Sequence, residues 1–351
     1  MAGNNDSMET RVAVVTFPVG LLSSVFSMQE SLVAANYCSY QFGAPRGTFK
    51  VDLVGQSTQG VQSYSGARVQ CVGPLPDPTE VDLVVVPAGP PPVIDQPSLQ
   101  AWLTANEQTR DWLVETHKGG AQIASTCTGS LLLAHAGLLD GLPATTHWVI
   151  EQVAQQQFPQ VLWRADETMI EHENVITAGG GYIYPALLLH LIRQYLGNEV
   201  AVETSRMLLM DAHNERQAVY RQGALDVKYP NPRIEALKHF VASNFRKAMS
   251  LADMAAAVSL SERTLIRTCQ KELGMTPMQF VQRVRVESVM NALQVTAEPV
   301  NQIVWDTGYE DVSSFQRLFK RHTGLTMSEY RRRFGVKIYN HEEQLNGAFQ
   351  A

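Results

Sequence analysis

Two hydrophobic periodicities divide the chain. From Arg11 to about residue 210, short apolar runs recur at Arg11-Val-Ala-Val-Val-Thr16, Thr48 to Val54, Val81-Asp-Leu-Val-Val-Val86, Ala121 to Ser125 and Asn174 to Thr177. Their length and their Val and Ile content predict strands. Helical patterns lie between several of them, as in Leu99 to His117 and Gly129 to Ala136. Near-continuous apolar strands separated by helices predict an α/β fold, a mainly parallel sheet with helices on both faces.

After Arg233 the strand signals stop. Leu251, Met254, Ala255 and Val258 keep the spacing of one helix face, and Ser250 with Asp253 can cap it. Gly274 and Thr276-Pro277 mark a stop and a new start, a long helix runs to Gln294, and Glu298-Pro299 opens the next. Between the regions, Gly223 and Tyr229-Pro230-Asn231-Pro232 cannot stay helical. The expected organisation is a disordered tail at 1–10, an α/β domain at 11–210, a linker at 211–232, an all-α domain at 233–335 and a tail at 336–351.

Within the helical part, Leu251 to Gly274 reads as helix, tight turn at Val258-Ser-Leu-Ser261, and second helix from Glu262. Roughly 50 positions on, the arrangement recurs: Val300 to Gly308, a turn through Tyr309 to Asp311, then Val312 to His322. This is a double helix-turn-helix pattern. Leu265, Cys269 and Leu273 should point inward in one second helix, and Phe315, Leu318 and Phe319 in the other. The outward faces then offer Arg263, Thr264, Arg267 and Lys271, and Ser313, Ser314, Arg317, Lys320 and Arg321. Arg on guanine and Ser or Thr on several bases is the chemistry of major-groove reading, while later Lys and Arg meet phosphates. One such helix could equally be a solvated cationic face; two, spaced alike, point to double-stranded DNA.

Charge sharpens this. The whole chain sums to −6, which taken alone argues against a nucleic-acid binder. Residues 1–229 hold 12 Lys and Arg against 22 Asp and Glu, whereas residues 230–351 hold 16 against 12. The sum averages an acidic part at −10 and a basic one at +4. Cys38, Cys71, Cys127 and Cys269 show no C-x-x-C spacing, so neither a metal site nor a disulfide framework is expected, and no cofactor is indicated. No apolar run approaches a membrane span, and the first ten residues lack the apolar core of a signal peptide, so the expected setting is cytoplasmic.

The helical part resembles the AraC/XylS family of transcription regulators at Asp306-Thr-Gly-Tyr309, Ser314-Phe-Gln-Arg-Leu-Phe-Lys-Arg321 and Gly324 through Glu329-Tyr-Arg-Arg-Arg-Phe334. The resemblance covers roughly 233–335. It implies two helix-turn-helix units on successive major-groove faces, about one DNA turn apart. The usual proline before the final Tyr-Arg is Met327 here, expected to change the local turn. Ile266 and Val312 stand where polar base readers often sit, and would make apolar contacts.

In the α/β part, Ile123-Ala-Ser-Thr-Cys127-Thr-Gly-Ser130 places a cysteine between an apolar strand and a Gly-opened helix. That pattern predicts a sharp elbow exposing the thiol at a helix N-terminus, which lowers its pKa. The alternative is a buried strand cysteine. The surroundings resemble the class-I glutamine-amidotransferase-like domain, in its PfpI/ThiJ branch and more narrowly in GlxA-type regulators. The matching stretches are Phe17-Pro18, Glu30 through Asn36, Val84-Val-Val-Pro-Ala-Gly89, Cys127-Thr-Gly129, Ala136 to Gly141, Ala144-Thr-Thr-His-Trp148 and Ile176-Thr-Ala-Gly179. The resemblance covers about 11–210 and implies a flavodoxin-like fold. It also implies Glu30 beside the elbow, able to hydrogen-bond the sulfur, and an anion notch built from N–H groups of the Gly89 loop and Thr128.

Family peptidases carry a histidine directly after the nucleophile; this chain has Thr128. His147 is the obvious substitute base, or else a structural or ligand-facing histidine. No catalytic residue is therefore expected, and Cys127, Glu30 and His147 read as a vestigial elbow. The candidate ligand set is Glu30, Gly89, Cys127, Thr128, His147, Trp148, Gly180 and Tyr182. Trp148, Tyr182 and Tyr184 would cage a cation or else serve as core aromatics.

The function expected from these readings is a ligand-responsive transcriptional regulator, an activator. It would work as a homodimer with promoter DNA, a small-molecule effector and RNA polymerase, without a membrane. The resemblance points to a nitrogenous metabolite as effector. Two alternatives are a cysteine-dependent amidase or hydratase fused to a DNA-binding domain, and a redox sensor acting through Cys127.

Overall fold

The computed structural model describes residues 9–41, 47–56, 60–69, 73–89, 95–180, 183–210, 217, 225, 229, 231–309 and 311–335. Contacts divide the chain into two compact units, Met1–Ala218 and Val219–Ala351. Both expected tails fall largely outside the described residues; the first strand begins at Glu9.

The first unit is built on a seven-stranded sheet: β1 Glu9–Val15, β2 Thr48–Gly55, β3 Gly73–Pro74, β4 Leu83–Val86, β5 Gln122–Thr126, β6 Met169–His172 and β7 Val175–Ala178. Their spatial order is β6-β7-β5-β4-β1-β2-β3, and every pairing is parallel except β6 with β7. Without the short edge strands the order is the doubly wound one of flavodoxin-like folds, reversing direction at β1.

Strand alternation explains the two covered faces. Val12, Val14, Leu83, Val85 and Ala124 enter one buried cluster, and Ala13, Val15, Val84, Val86 and Ile123 the other. Helices α1 (Leu22–Gln41), α6 (Tyr184–Leu196) and α7 (Asn198–Met207) cover the first face; α2 (Gln96–Ala105), α3 (Glu107–Lys118), α4 (Ser130–His135) and α5 (Glu151–Gln157) cover the second. The single helical pattern expected over Leu99 to His117 is two helices. Buried Asn106, at φ −113°, caps α2 and bonds back to the Trp102 carbonyl.

The second unit is helical among its described residues: α8 Pro232–Asn244, α9 Leu251–Ala257, α10 Glu262–Leu273, α11 Pro277–Val295, α12 Val300–Trp305, α13 Val312–Thr323 and α14 Met327–Phe334. Ser250 and Asp253 form the expected capping box, and Ser261 and Asp311 cap α10 and α13. Two cores share α11. Phe280, Val281 and Val284 pack with Leu237, Leu265 and Cys269, while Val286, Val289, Met290 and Leu293 pack with Ile303, Phe315, Phe319 and Tyr330.

The two helix-turn-helix units repeat with a constant offset of 50 positions. Caps Ser261 and Asp311, C-terminal glycines Gly274 and Gly324, capping-box residues Thr276 and Thr326, and core residues Leu265 and Phe315 each differ in number by that amount. Both glycines are left-handed, at φ 68° and 82°. Met327 corrects one expectation. It replaces the proline without altering the turn, because Thr326 and Glu329 still form a capping box while Met327, 3% exposed, fills the core.

Candidate functional site

The elbow lies at the carboxyl end of β5. Cys127 has a left-handed backbone at φ 55°, as a strand turned abruptly into a helical turn demands. Its N–H donates to the Gly179 carbonyl at 2.9 Å, and its carbonyl accepts from the hydroxyls of Ser130 at 3.0 Å and Thr146 at 3.1 Å. Gly129 permits this packing, since a Cβ there would stand 2.3 Å from the Pro87 carbonyl oxygen.

The turn is sharp as expected, but the thiol is not exposed. Cys127 is 3% accessible, and burial pushes its pKa up to about 11. Hydrogen bonds from the Thr128 N–H and hydroxyl pull the other way and lose. The expected low-pKa thiolate is thus corrected. The helix behind the cysteine, six residues in α4, offers too little to offset desolvation. Thr128, itself fully buried, spends its N–H on the sulfur instead of lining an open anion notch.

Glu30 is a second correction. It lies on the exposed stripe of α1 with Val33, Tyr37 and Tyr40, because the buried stripe runs through Val25, Met28, Leu32 and Ala35. It makes no hydrogen bond to Cys127. A residue absent from the sequence reading takes the place above the elbow. The Tyr64 hydroxyl donates to the Gly89 carbonyl at 2.6 Å, and burial first, then the nearby Cys127, hold its phenol above the ordinary range. Gly89 packs on Trp102, whose ring would lie 2.3 Å from a Cβ there.

His147 caps the turn that follows it. Its Nδ1 accepts the Val149 N–H at 3.2 Å, which places the imidazole proton on Nε2. Burial lowers its pKa, so the ring is neutral near pH 7. The ring sits 5.7 Å from Trp148 and beside Gly180. With Nδ1 engaged and Nε2 protonated, the lone pair a general base needs is already committed. Tyr182 lies outside the described residues, and Tyr184 packs against the apolar cluster under α1 and α6 rather than into a cage.

A second residue not anticipated from sequence is Gln217, 1% exposed. Its Oε1 accepts the Gly180 N–H at 2.8 Å, while Nε2 donates to the Thr146 carbonyl at 2.9 Å, the Glu167 carbonyl at 3.0 Å and Thr145 Oγ1 at 3.1 Å. Gly179 makes room, since a Cβ there would lie 2.0 Å from Nε2. Neither Tyr64 nor Gln217 carries a motif, and a polar residue in a loop announces no partner by itself.

The α10 and α13 faces present the expected side chains. Arg263, Arg267 and Lys271 are exposed on α10; Ser313, Arg317, Lys320 and Arg321 are exposed on α13. Thr264 and Ser314 are half-buried, and the Thr264 hydroxyl meets Ser261 Oγ at 2.8 Å. The offset pairs Arg267 with Arg317 and Lys271 with Arg321. Ile266 is exposed, whereas Val312 packs partly against the second core. Ser313, Arg317 and Lys320 line a cleft of about 510 Å³ with Thr326, Met327 and Ser328.

The Asp306-Thr-Gly-Tyr309 signature joins the two helix-turn-helix repeats within the second unit. Gly308, at φ 80°, stands where a Cβ would meet the Arg246 carbonyl oxygen at 2.4 Å. Arg285 of α11, 9% exposed, donates to the carbonyls of Phe245 and Lys247, both at 2.7 Å. Cys38, Cys127 and Cys269 are free and buried; Cys71 lies outside the described residues. Among the described residues no cluster of His, Cys, Asp and Glu could hold a metal ion, and no helix is long and apolar enough to cross a membrane.

Residues 29–194 match the DJ-1/PfpI family, and residues 254–333 match a family described as a helix-turn-helix domain. The chain is 26% identical over 207 residues to the HTH-type transcriptional regulator GbdR of Pseudomonas aeruginosa, covering 59% of this chain and 56% of that protein. It thus spans little more than half the length of that relative. It is 28% identical over 272 residues to the HTH-type transcriptional regulator CdhR of the same species, covering 77% and 78%. It is 26% identical over 338 residues to the HTH-type transcriptional regulator GlxA of Rhizobium meliloti, covering 95% and 100%.

Proposed function

The chain joins an AraC/XylS-type helix-turn-helix domain to a DJ-1/PfpI-like domain of GlxA type, and on that footing we propose that it is a ligand-responsive transcriptional activator. The observation that carries this reading is the pair of cationic faces on α10 and α13, repeated at one constant offset around a shared α11. Arg263, Thr264 and Arg267 enter one major groove, and Ser313, Ser314 and Arg317 the next. Lys271, Lys320 and Arg321 meet phosphates.

The α/β domain senses a small metabolite and performs no catalysis. A protonated, buried Cys127 and a His147 with its lone pair engaged support a binding role over the amidase reading. Burial likewise weighs against a redox sensor, because oxidation starts from an accessible thiolate. The carboxyl ends of β4, β5 and β7 form the binding side, where sheets of this topology take ligands. Effector binding must favour one arrangement of the chain over another, and the connection through residues 211–232 is the place for that choice.

The exposed α1 stripe of Val33, Tyr37 and Tyr40 supports a homodimer. Action through RNA polymerase, a cytoplasmic setting and a nitrogenous effector rest on the family resemblance. The test is selection of duplexes from a random pool by the full-length protein, followed by footprinting. A sequence-specific footprint that disappears in an Arg267→Ala, Arg317→Ala double variant is expected; a footprint unaffected by that change would defeat the reading.

A further inference from the structure

The polar groups around Gln217 form a complete recognition site with an internal occupant. Three acceptors, Thr145 Oγ1, Thr146 O and Glu167 O, face one amide nitrogen, and one donor, the Gly180 N–H, faces the amide oxygen. Their arrangement fixes the orientation of the amide, since turning it over would set its oxygen against the Thr146 and Glu167 carbonyls and its nitrogen against the Gly180 N–H. Gln217 lies outside the sheet and the helices that cover it. It comes from the connection between α7, which ends at Met207, and α8, which begins at Pro232. The site adjoins the elbow through Thr146, whose carbonyl accepts from Gln217 while its hydroxyl donates to the Cys127 carbonyl.

We propose that this is the carboxamide subsite of the effector pocket, and that Gln217 is its resident occupant, displaced when a small primary carboxamide binds. The inference rests on the ligand-responsive reading above and supplies it with a chemical class. An ammonium or guanidinium group would satisfy the three acceptors but leave the Gly180 N–H buried without a partner. A carboxylate would satisfy Gly180 and be repelled by the Thr146 and Glu167 carbonyls. A neutral carboxamide satisfies all four groups, as Gln217 does. Occupancy of the site by the free molecule and by the Gln217 amide are exclusive states. Competition with a tethered side chain also weakens apparent affinity in the resting protein, by the fraction of time the site is open.

Two measurements on the full chain test this without using DNA, so that failure here leaves the DNA-binding reading standing and the reverse. In the first, propionamide, propionate and propylammonium are titrated calorimetrically into wild type and Gln217→Ala, with folding verified by circular dichroism. Saturable binding of propionamide alone, about tenfold or more tighter to Gln217→Ala than to wild type, is expected. In the second, propionamide is titrated in the same way into Gln217→Ala and into a Gly179→Ala, Gln217→Ala double variant, whose added methyl fills the place of the amide. Binding weakened about tenfold or more by the added methyl is expected. Propionamide affinity unchanged by the added methyl, or three probes that bind alike or not at all to the folded Gln217→Ala variant, would overturn the proposal.

Discussion

The guanidinium of Arg285 stands 5.1 Å from the ring centroid of Tyr309, while its Nε and Nη2 hold the carbonyls of Phe245 and Lys247. One side chain on α11 thus fastens the loop leading to the first helix-turn-helix against the turn of the second. Replacing it by Ala leaves two carbonyls and a ring face without their partner. Arg285→Ala should lower the stability of the helical unit by about 2–3 kcal/mol, read from denaturant midpoints of the full chain. Lys should not restore it, because an ammonium lacks the fork that reaches both carbonyls.

DNA affinity should separate into base and phosphate contributions. Arg267→Ala and Arg317→Ala should each weaken specific binding by about 1–3 kcal/mol and relax sequence preference at one position. Lys320→Ala should weaken all sequences alike and reduce the salt slope by roughly one unit. Fluorescence titration across a salt series checks both. Equal slopes for all three variants would remove the division between reader and anchor.

The buried thiols make the protein sensitive to alkali. Burial raises the pKa of Cys127 to about 11 and that of Cys269 to about 11, above an ordinary thiol value of 9.0. The folded chain therefore keeps protons that the unfolded chain loses across this interval. Their stabilising contribution is full below pH 9 and is lost as pH rises through about 11. The thermal midpoint should fall over this window, and less steeply in Cys127→Ala. Iodoacetamide at pH 7 should label Cys127 far more slowly in the native protein than after unfolding.

Two glycines with nearly equal φ should respond differently to alanine. Gly324, at φ 82°, has open space around it, so Gly324→Ala costs only the left-handed conformation, about 1–2 kcal/mol. Gly308, at φ 80°, adds a collision with the Arg246 carbonyl, so Gly308→Ala should cost more than Gly324→Ala by at least about 1 kcal/mol. Urea unfolding of the two variants side by side gives the difference.

Helices α10 and α13 were legible because their information is local. A cap, a stripe of period 3.6 and a terminal glycine fix α10 and α13, and the outward residues follow from the inward ones. The elbow was legible as a turn for the same reason, from an apolar strand running into Cys127-Thr-Gly129. Its electrostatics were not. Whether a thiol is acidic depends on how much water reaches it, and burial of Cys127 depends on parts of the chain distant in sequence, among them Tyr64, which stands near the sulfur. Glu30 was misplaced because a motif gives its position along α1, whereas its direction follows from which residues of the helix are buried. Gln217 could be found only by asking what satisfies Gly180, Thr146 and Glu167.

The shared helix α11 has a consequence for the operator. Nineteen residues at about 1.5 Å each make a strut of roughly 28 Å, with a hydrophobic core built on each half. With both helices fixed to one strut, the groove contacts proposed above would measure angle around the duplex as well as distance along it. Each base pair inserted between the two contacted stretches turns one of them away by roughly 35°. Duplexes lengthened there by a single pair should lose specific binding abruptly, although every contacted base remains present.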